Sequence, residues 1–253
     1  MKLSTRTVVV SALLGGLAVV LGSTPLGFVP VPTPAGHATT MHIPAILAGI
    51  LEGPVVGALV GLIFGVYSLV HAITVPTPAS ALFRDPLVSV LPRIFIGVAA
   101  YYAFAGSRHR VSRALLALAV GAIAGHTWFQ GAGLYLKGLA QTAVWTVAVV
   151  LGTGLALAAY RWLRGAGGAP AFAALVGTLT NTVGVLGMIG VRGYLPVPVL
   201  VGVGILHGLP EILVAMVVTV PVALALRHLA RYPVPEGQAW QGIRISGELR
   251  TRL

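Results

Sequence analysis

Cysteine is absent from this chain, acids number only five, and charged residues of both signs make up 8% of the sequence. Without thiols there is no disulfide, thiolate metal site or cysteine nucleophile. With so little charge against 57% apolar residues and a mean hydropathy of +0.96, the chain lacks the polar surface to cover a water-soluble globule. Lipid is the solvent that fits. Also missing is any GxxxxGK[ST] phosphate loop, so ATP hydrolysis by that route falls to another polypeptide. No serine sits in a nucleophile elbow. His42, His71, His126 and His207 are scattered without the spacing of a zinc protease, so neither a metal, a cofactor nor a catalytic set is expected.

What is present is hydrophobic length. A bilayer core about 30 Å thick needs about 20 helical residues per crossing. Eight blocks are expected to be helical: 6–22, 39–52, 54–74, 86–105, 112–129, 138–163, 169–190 and 200–226. The fold class is therefore an all-α integral membrane protein. The apolar run after Lys2 and Arg6 reads as the first membrane helix, with a cleavable leader as the competing reading, because equally apolar blocks follow throughout. The formal charge of +11 lies between the blocks and not in a soluble basic domain, which argues against nucleic acid. Threading the blocks puts Lys2, Arg6, Arg108, Arg110, Arg113, Arg161, Arg164, Arg227 and Arg231 on one side, and Arg84, Lys137 and Arg192 on the other. That bias makes the first side cytoplasmic, with both termini there and the chain multi-pass in the cell membrane. Residues 1–232 form the membrane domain, and 233–253, with Pro233 and Pro235, read as a cytoplasmic tail.

Several features interrupt the apolar pattern. The second block is short and interrupted by Pro44, so its backbone needs cover from neighbouring helices. The connection Ser23 to Ala38 holds Pro25, Pro30, Pro32 and Pro34 and can hardly be helical. Apolar and nearly uncharged, it is expected to fold over the helix ends as a lid, the alternative being a plain proline-rich spacer. Gly53, Gly57, Gly61 and Gly65 recur every fourth residue as a smooth stripe that admits another backbone, from within the bundle or from a partner. Ala12 and Gly16 make a shorter small-residue pair.

Asp85 opens the fourth block and Arg93 follows two turns later. A guanidinium at membrane depth is a functional candidate, or it forms a structural ion pair with Glu211, the one acid deep in a late block; both can hold. Thr178, Thr180, Asn181 and Thr182 are polar in an otherwise apolar block, and the Asn181 amide needs a partner from a neighbouring helix or a ligand. His207-Gly208-Leu209-Pro210-Glu211 sets polar side chains one turn apart around a proline expected to break the helix, as helices at membrane-embedded binding sites often are.

These stretches together resemble the substrate-binding S components of energy-coupling factor (ECF) transporters, the vitamin importers of prokaryotes, with the pantothenate-type branch closest. The likeness is carried by Leu26-Gly27-Phe28-Val29-Pro30, and by Met41-His42-Ile43-Pro44 running into Glu52-Gly53-Pro54-Val55-Val56-Gly57 and Gly61-Leu62-Ile63-Phe64-Gly65. It continues from Asp85 to Arg93, from Gly177 to Thr182 and from His207 to Glu211, where the family pattern has asparagine in place of His207. The family has six helices, so 107–168 reads as an inserted helical pair that brings the total to eight. The resemblance implies that the chain captures a small-molecule vitamin from outside. It also implies assembly, in membrane lipid, with a transmembrane scaffold protein driven by two cytoplasmic ATPase subunits. On that reading Ala12 and Gly16 touch the scaffold and the proline-rich loop gates the pocket.

The expected substrate-binding residues are Arg93, Asn181, His207, Glu211, His42, Thr178 and Tyr67, with no chemistry done on the ligand. Arg93 or His207 meets an anionic or carbonyl group, Asn181 hydrogen-bonds it, and Glu211 orients Arg93 or a ligand hydroxyl. Two other functions stay open. One is an autonomous ion-coupled secondary transporter with Glu211 as the titrating group. The other is an intramembrane enzyme pairing His207 with Glu211.

Overall fold

The computed structural model describes residues 5–30, 37–75, 80–135 and 141–230. Lys2, Pro32, Pro34, Lys137, Arg231 and the expected tail 233–253 lie outside the described residues. Helix α1 (Thr5–Ser23) stops where the Ser23 and Thr24 hydroxyls donate back to the Val19 and Val20 carbonyls and Pro25 cannot continue the ladder. After a 3-10 turn at Pro25–Gly27, strands β1 (Phe28–Pro30) and β2 (His37–Thr39) pair antiparallel, with Phe28 opposite Thr39. Then come α2 (Ile43–Glu52), α3 (Pro54–Thr74), a 3-10 turn at Ser80–Arg84, α4 (Pro86–Ser89) and α5 (Leu91–Ser107). Helices α6 (Arg110–Tyr135), α7 (Gln141–Arg164), α8 (Gly168–Val191) and α9 (Val197–Ala230) complete the chain.

Among the described residues, eight helices reach ten residues or more, which matches the eight apolar blocks and an all-α membrane fold. Among the described residues five spans are long and apolar enough to cross a bilayer: Pro54–Thr74, Pro86–Ser107, Ala143–Arg164, Gly168–Val191 and Val197–Leu226. Large apolar side chains such as Leu13, Val70, Val183, Leu213 and Val217 face outward, as helices solvated by lipid require.

Within the connection from Ser23 to Ala38 the described residues hold a 3-10 turn, β1 and the start of β2. Two local expectations are corrected. Pro44 does not interrupt the second helix but opens it, in the first turn where a missing N–H costs nothing. Pro210 does not break its helix: α9 runs without interruption through both Pro210 and Pro221.

Helix α2 is buried at every position from Ile43 to Ile50, so its apolar character all round is matched by cover on all sides. Gly53, at φ 98°, sits in the left-handed region that only glycine enters freely, and turns the chain from α2 into α3. The rest of the stripe packs inside the bundle. A Cβ at Gly57 would strike Gly97, one at Gly61 the Arg93 carbonyl, and one at Gly65 the Val90 backbone. The backbones of α3 and α5 are thereby held in direct contact, and this seats Arg93 deep in the bundle. Helices α6 and α7 pack chiefly on each other and meet the rest of the chain at α5 and α8, the helices before and after them.

Candidate functional site

Arg93 is placed by the proline next to it. An N–H at position 92 would donate to the Val88 carbonyl in a continuing helix; Pro92 has none, and the chain steps from α4 to α5 at Val90. The Arg93 guanidinium fills the gap, donating from Nη1 to the Val88 carbonyl. Its cation lies over the rings of Phe64, 5.5 Å away, and Phe83, 5.2 Å away. Arg93 is only 5% exposed, and its Nε is buried with no hydrogen-bond partner.

Glu211, 3% exposed, does not form the expected ion pair with Arg93 among the described residues, although the two are near enough for their charges to interact. The carboxylate is already occupied. Its Oε1 accepts the Thr39 backbone N–H at 3.0 Å and the Thr39 hydroxyl at 2.7 Å, and lies 3.1 Å from His207 Nε2 one turn earlier on α9. Its Oε2 accepts the Thr182 hydroxyl at 3.3 Å. Strand β2, α8 and α9 are thus tied at one carboxylate. Donors from three directions are what a charge buried in a bundle needs.

His42, fully buried just before α2, is the third centre. Its Nε2 shares a hydrogen bond with the Thr178 hydroxyl at 3.0 Å, while its Nδ1 has no partner. Asn181 and Thr182 follow Thr178 by three and four residues on α8 and share its face. The buried Oδ1 of Asn181 and Nδ1 of His207 are also unpartnered. His42 thus joins Thr178, and Glu211 joins His207, Thr182 and Thr39, with the Arg93 charge near enough to interact with Glu211 and His42; Asn181 shares the α8 face of Thr178. Tyr67 is engaged elsewhere: its hydroxyl shares a hydrogen bond with Ser23 at 3.0 Å, and its ring stacks on His71. Ala12 and Gly16 are exposed on α1, with open space beside Gly16, whereas Gly15 faces Ile63 of α3.

Beyond this cluster, Asp85 caps α4 by accepting the Leu87 N–H at 2.9 Å, and its Oδ2 accepts Arg192 Nε at 2.7 Å and the Tyr194 hydroxyl at 3.0 Å. The Leu87 N–H, with Tyr194 and Arg192, holds the Asp85 carboxyl below the usual carboxylate range. Among the described residues, hollows elsewhere lie in apolar surroundings, among them a groove of about 620 Å³ on α6 and α7, one of about 380 Å³ beside α3 and α5, and one of about 310 Å³ near the α7–α8 turn.

Thr39, Phe64 and Phe83 are contributors that the sequence did not single out as site residues. Pro92 directly before Arg93 was the local signal for the Val88 contact; nothing local marks Thr39. A comparison with curated protein sequences returned no match. The family model described as ECF transporter, substrate-specific component, matches residues 6–139, a stretch running from α1 through α6. That match covers more than half of the chain, which therefore belongs to the family of ECF transporter substrate-specific components.

Proposed function

We propose that this chain is the high-affinity substrate-binding subunit of an ATP-driven ECF vitamin importer, with a pantothenate-type carboxylate as its ligand. The observation that carries the reading is Arg93: a guanidinium buried at membrane depth, with a free Nε and no carboxylate paired to it among the described residues. A buried cation with no carboxylate hydrogen-bonded to it is costly, and an anionic ligand offsets that cost. Asn181 Oδ1 and the Nδ1 atoms of His42 and His207 supply further unused polar atoms in the same cluster. Glu211 contributes indirectly by holding β2 against α8 and α9, which supports the reading of the outer hairpin as a lid. Since the cluster is buried, a ligand enters only when that hairpin lifts.

Transport energy comes from the scaffold and its two ATPases, since no phosphate loop occurs in the chain. The exposed small residues Ala12 and Gly16 form the face offered to the scaffold. Residues 107–168 are an addition to a six-helix core. The test is mass spectrometry of small molecules retained by the purified protein, followed by titration calorimetry with the compound found. A carboxylate-bearing vitamin whose binding is lost in Arg93→Ala supports the reading, and an uncharged ligand indifferent to Arg93 overturns it.

A further inference from the structure

The α6–α7 pair carries five arginines toward one end, with Lys137 alone in the connection at the other. No acid occurs between Ser107 and Gly168, while Arg108, Arg110 and Arg113 lie at the start of α6 and Arg161 and Arg164 at the end of α7. The helices are antiparallel: Gly121 meets Gly152, Gly125 meets Ala148, and Phe129 stacks on Trp145 with centroids 4.1 Å apart. These arginines therefore gather at one mouth. Arg164 lies over the Tyr160 ring, and the Nε of Arg113 is buried without a hydrogen-bond partner.

From that mouth the apolar groove of about 620 Å³ runs along the pair, from Ala114 and Tyr160 to Gly125 and Trp145. Small residues such as Gly121 and Ala122 leave it open. Its run of about a dozen helical residues is about 18 Å long, close to the depth of one leaflet in a hydrocarbon core about 30 Å thick. A cationic mouth over an apolar slot one leaflet deep matches an amphiphile with an anionic head and a hydrocarbon tail. We propose that this groove holds an acyl chain of an anionic phospholipid whose phosphate sits among Arg113, Arg161 and Arg164. A partner helix is the lesser fit, because it would have to supply both the apolar face and acids at the right depth.

The experiment uses the full chain in bilayers, with Trp128, Trp162 and Trp240 changed to Phe so that Trp145 is the remaining tryptophan. Its fluorescence is titrated with phosphatidylglycerol or phosphatidylcholine brominated on the acyl chain. The anionic lipid is expected to quench at a several-fold lower mole fraction. Each arginine near a bilayer surface favours an anionic lipid by up to about fivefold, so Arg113→Gln with Arg161→Gln should abolish most of that several-fold preference. Thr153→Leu, which fills the groove without changing charge, should weaken quenching by the anionic lipid. Equal quenching by both lipids, or a preference untouched by the arginine changes, overturns the proposal and leaves ordinary surrounding lipid. If quenching appears only after residues 231–253 are removed, the chain's own tail is the occupant and the proposal also falls. None of these readouts involves the vitamin, so their failure leaves the proposed function standing.

Discussion

Thr39 gives both its backbone N–H and its hydroxyl to Glu211 Oε1, at 3.0 and 2.7 Å, joining strand β2 to a residue of α9 that lies 172 residues further along the chain. Two bonds to one charged oxygen make this the firmest contact shown between β2 and the bundle. Glu211→Gln keeps the shape but removes the charge, and a hydrogen bond to a charged group contributes about 1.5–3 kcal/mol. Amide exchange at Thr39 should therefore quicken by about ten- to a hundredfold, with bound ligand leaving faster as well. Hydrogen exchange read by mass spectrometry over residues 37–42 checks it. Unchanged protection in the variant would mean that the hairpin is held by something other than this carboxylate.

Arg93 and Pro92 are expected to separate binding from stability. Arg93→Ala strips the site of its cation, and the loss of a charge-assisted contact should weaken ligand binding by about ten- to a hundredfold. Arg93→Lys should recover only part of that loss, because an ammonium lacks the planar fork. Pro92→Ala restores an N–H for the Val88 carbonyl, the group that now anchors Arg93. It should leave thermal stability equal or higher while lowering affinity. Titration calorimetry beside thermal unfolding measures both. Equal affinity in Pro92→Ala would show that the anchor does not matter.

How much of this was readable in advance follows from the range of each interaction. Helix number was legible because hydrophobic length is a local property, and so were the Asp85 cap and the tight packing at Gly57, Gly61 and Gly65. The burial of Arg93, His42 and Asn181 inside the bundle could be anticipated because polar groups in hydrocarbon must turn inward. Who bonds to whom could not. An Arg93–Glu211 ion pair was one of two open readings, but the carboxylate found nearer donors on β2 and α8. Phe83, whose ring lies over Arg93, belongs to a short turn with no periodicity to betray it. Pro210 was expected to break a helix that neighbouring turns carry through.

Acid should act first outside the bilayer, at Asp85. Its folded-state carboxyl lies below the usual range because of the Leu87 N–H, Tyr194 and Arg192, so the group stabilises the fold above its unfolded value and loses that contribution as pH falls through the folded one. Arg192, held above its ordinary value by Tyr194 and Asp85, stays charged throughout. In Asp85→Asn the amide still caps α4 but no longer attracts Arg192. The wild type should therefore melt higher than the variant at neutral pH, and the gap should close below about pH 4. Thermal unfolding between about pH 6 and pH 3 would refute this if the gap were constant.

Gly15 and Gly16 offer the sharpest contrast between folding and assembly. A side chain at Gly15 would run into Ile63 of α3, whereas nothing lies within 4 Å of the position a Cβ would take at Gly16. Gly15→Leu should thus cost about 1–3 kcal/mol of stability through overpacking. Gly16→Leu should leave stability and ligand affinity unchanged, since it projects from an exposed face beside Ala12. If that face is where the scaffold's backbone comes close, Gly16→Leu should still abolish co-purification of the scaffold and ATPases and stop uptake in reconstituted vesicles. A variant that binds its ligand, assembles and transports normally would show that the scaffold contact lies off this face of α1.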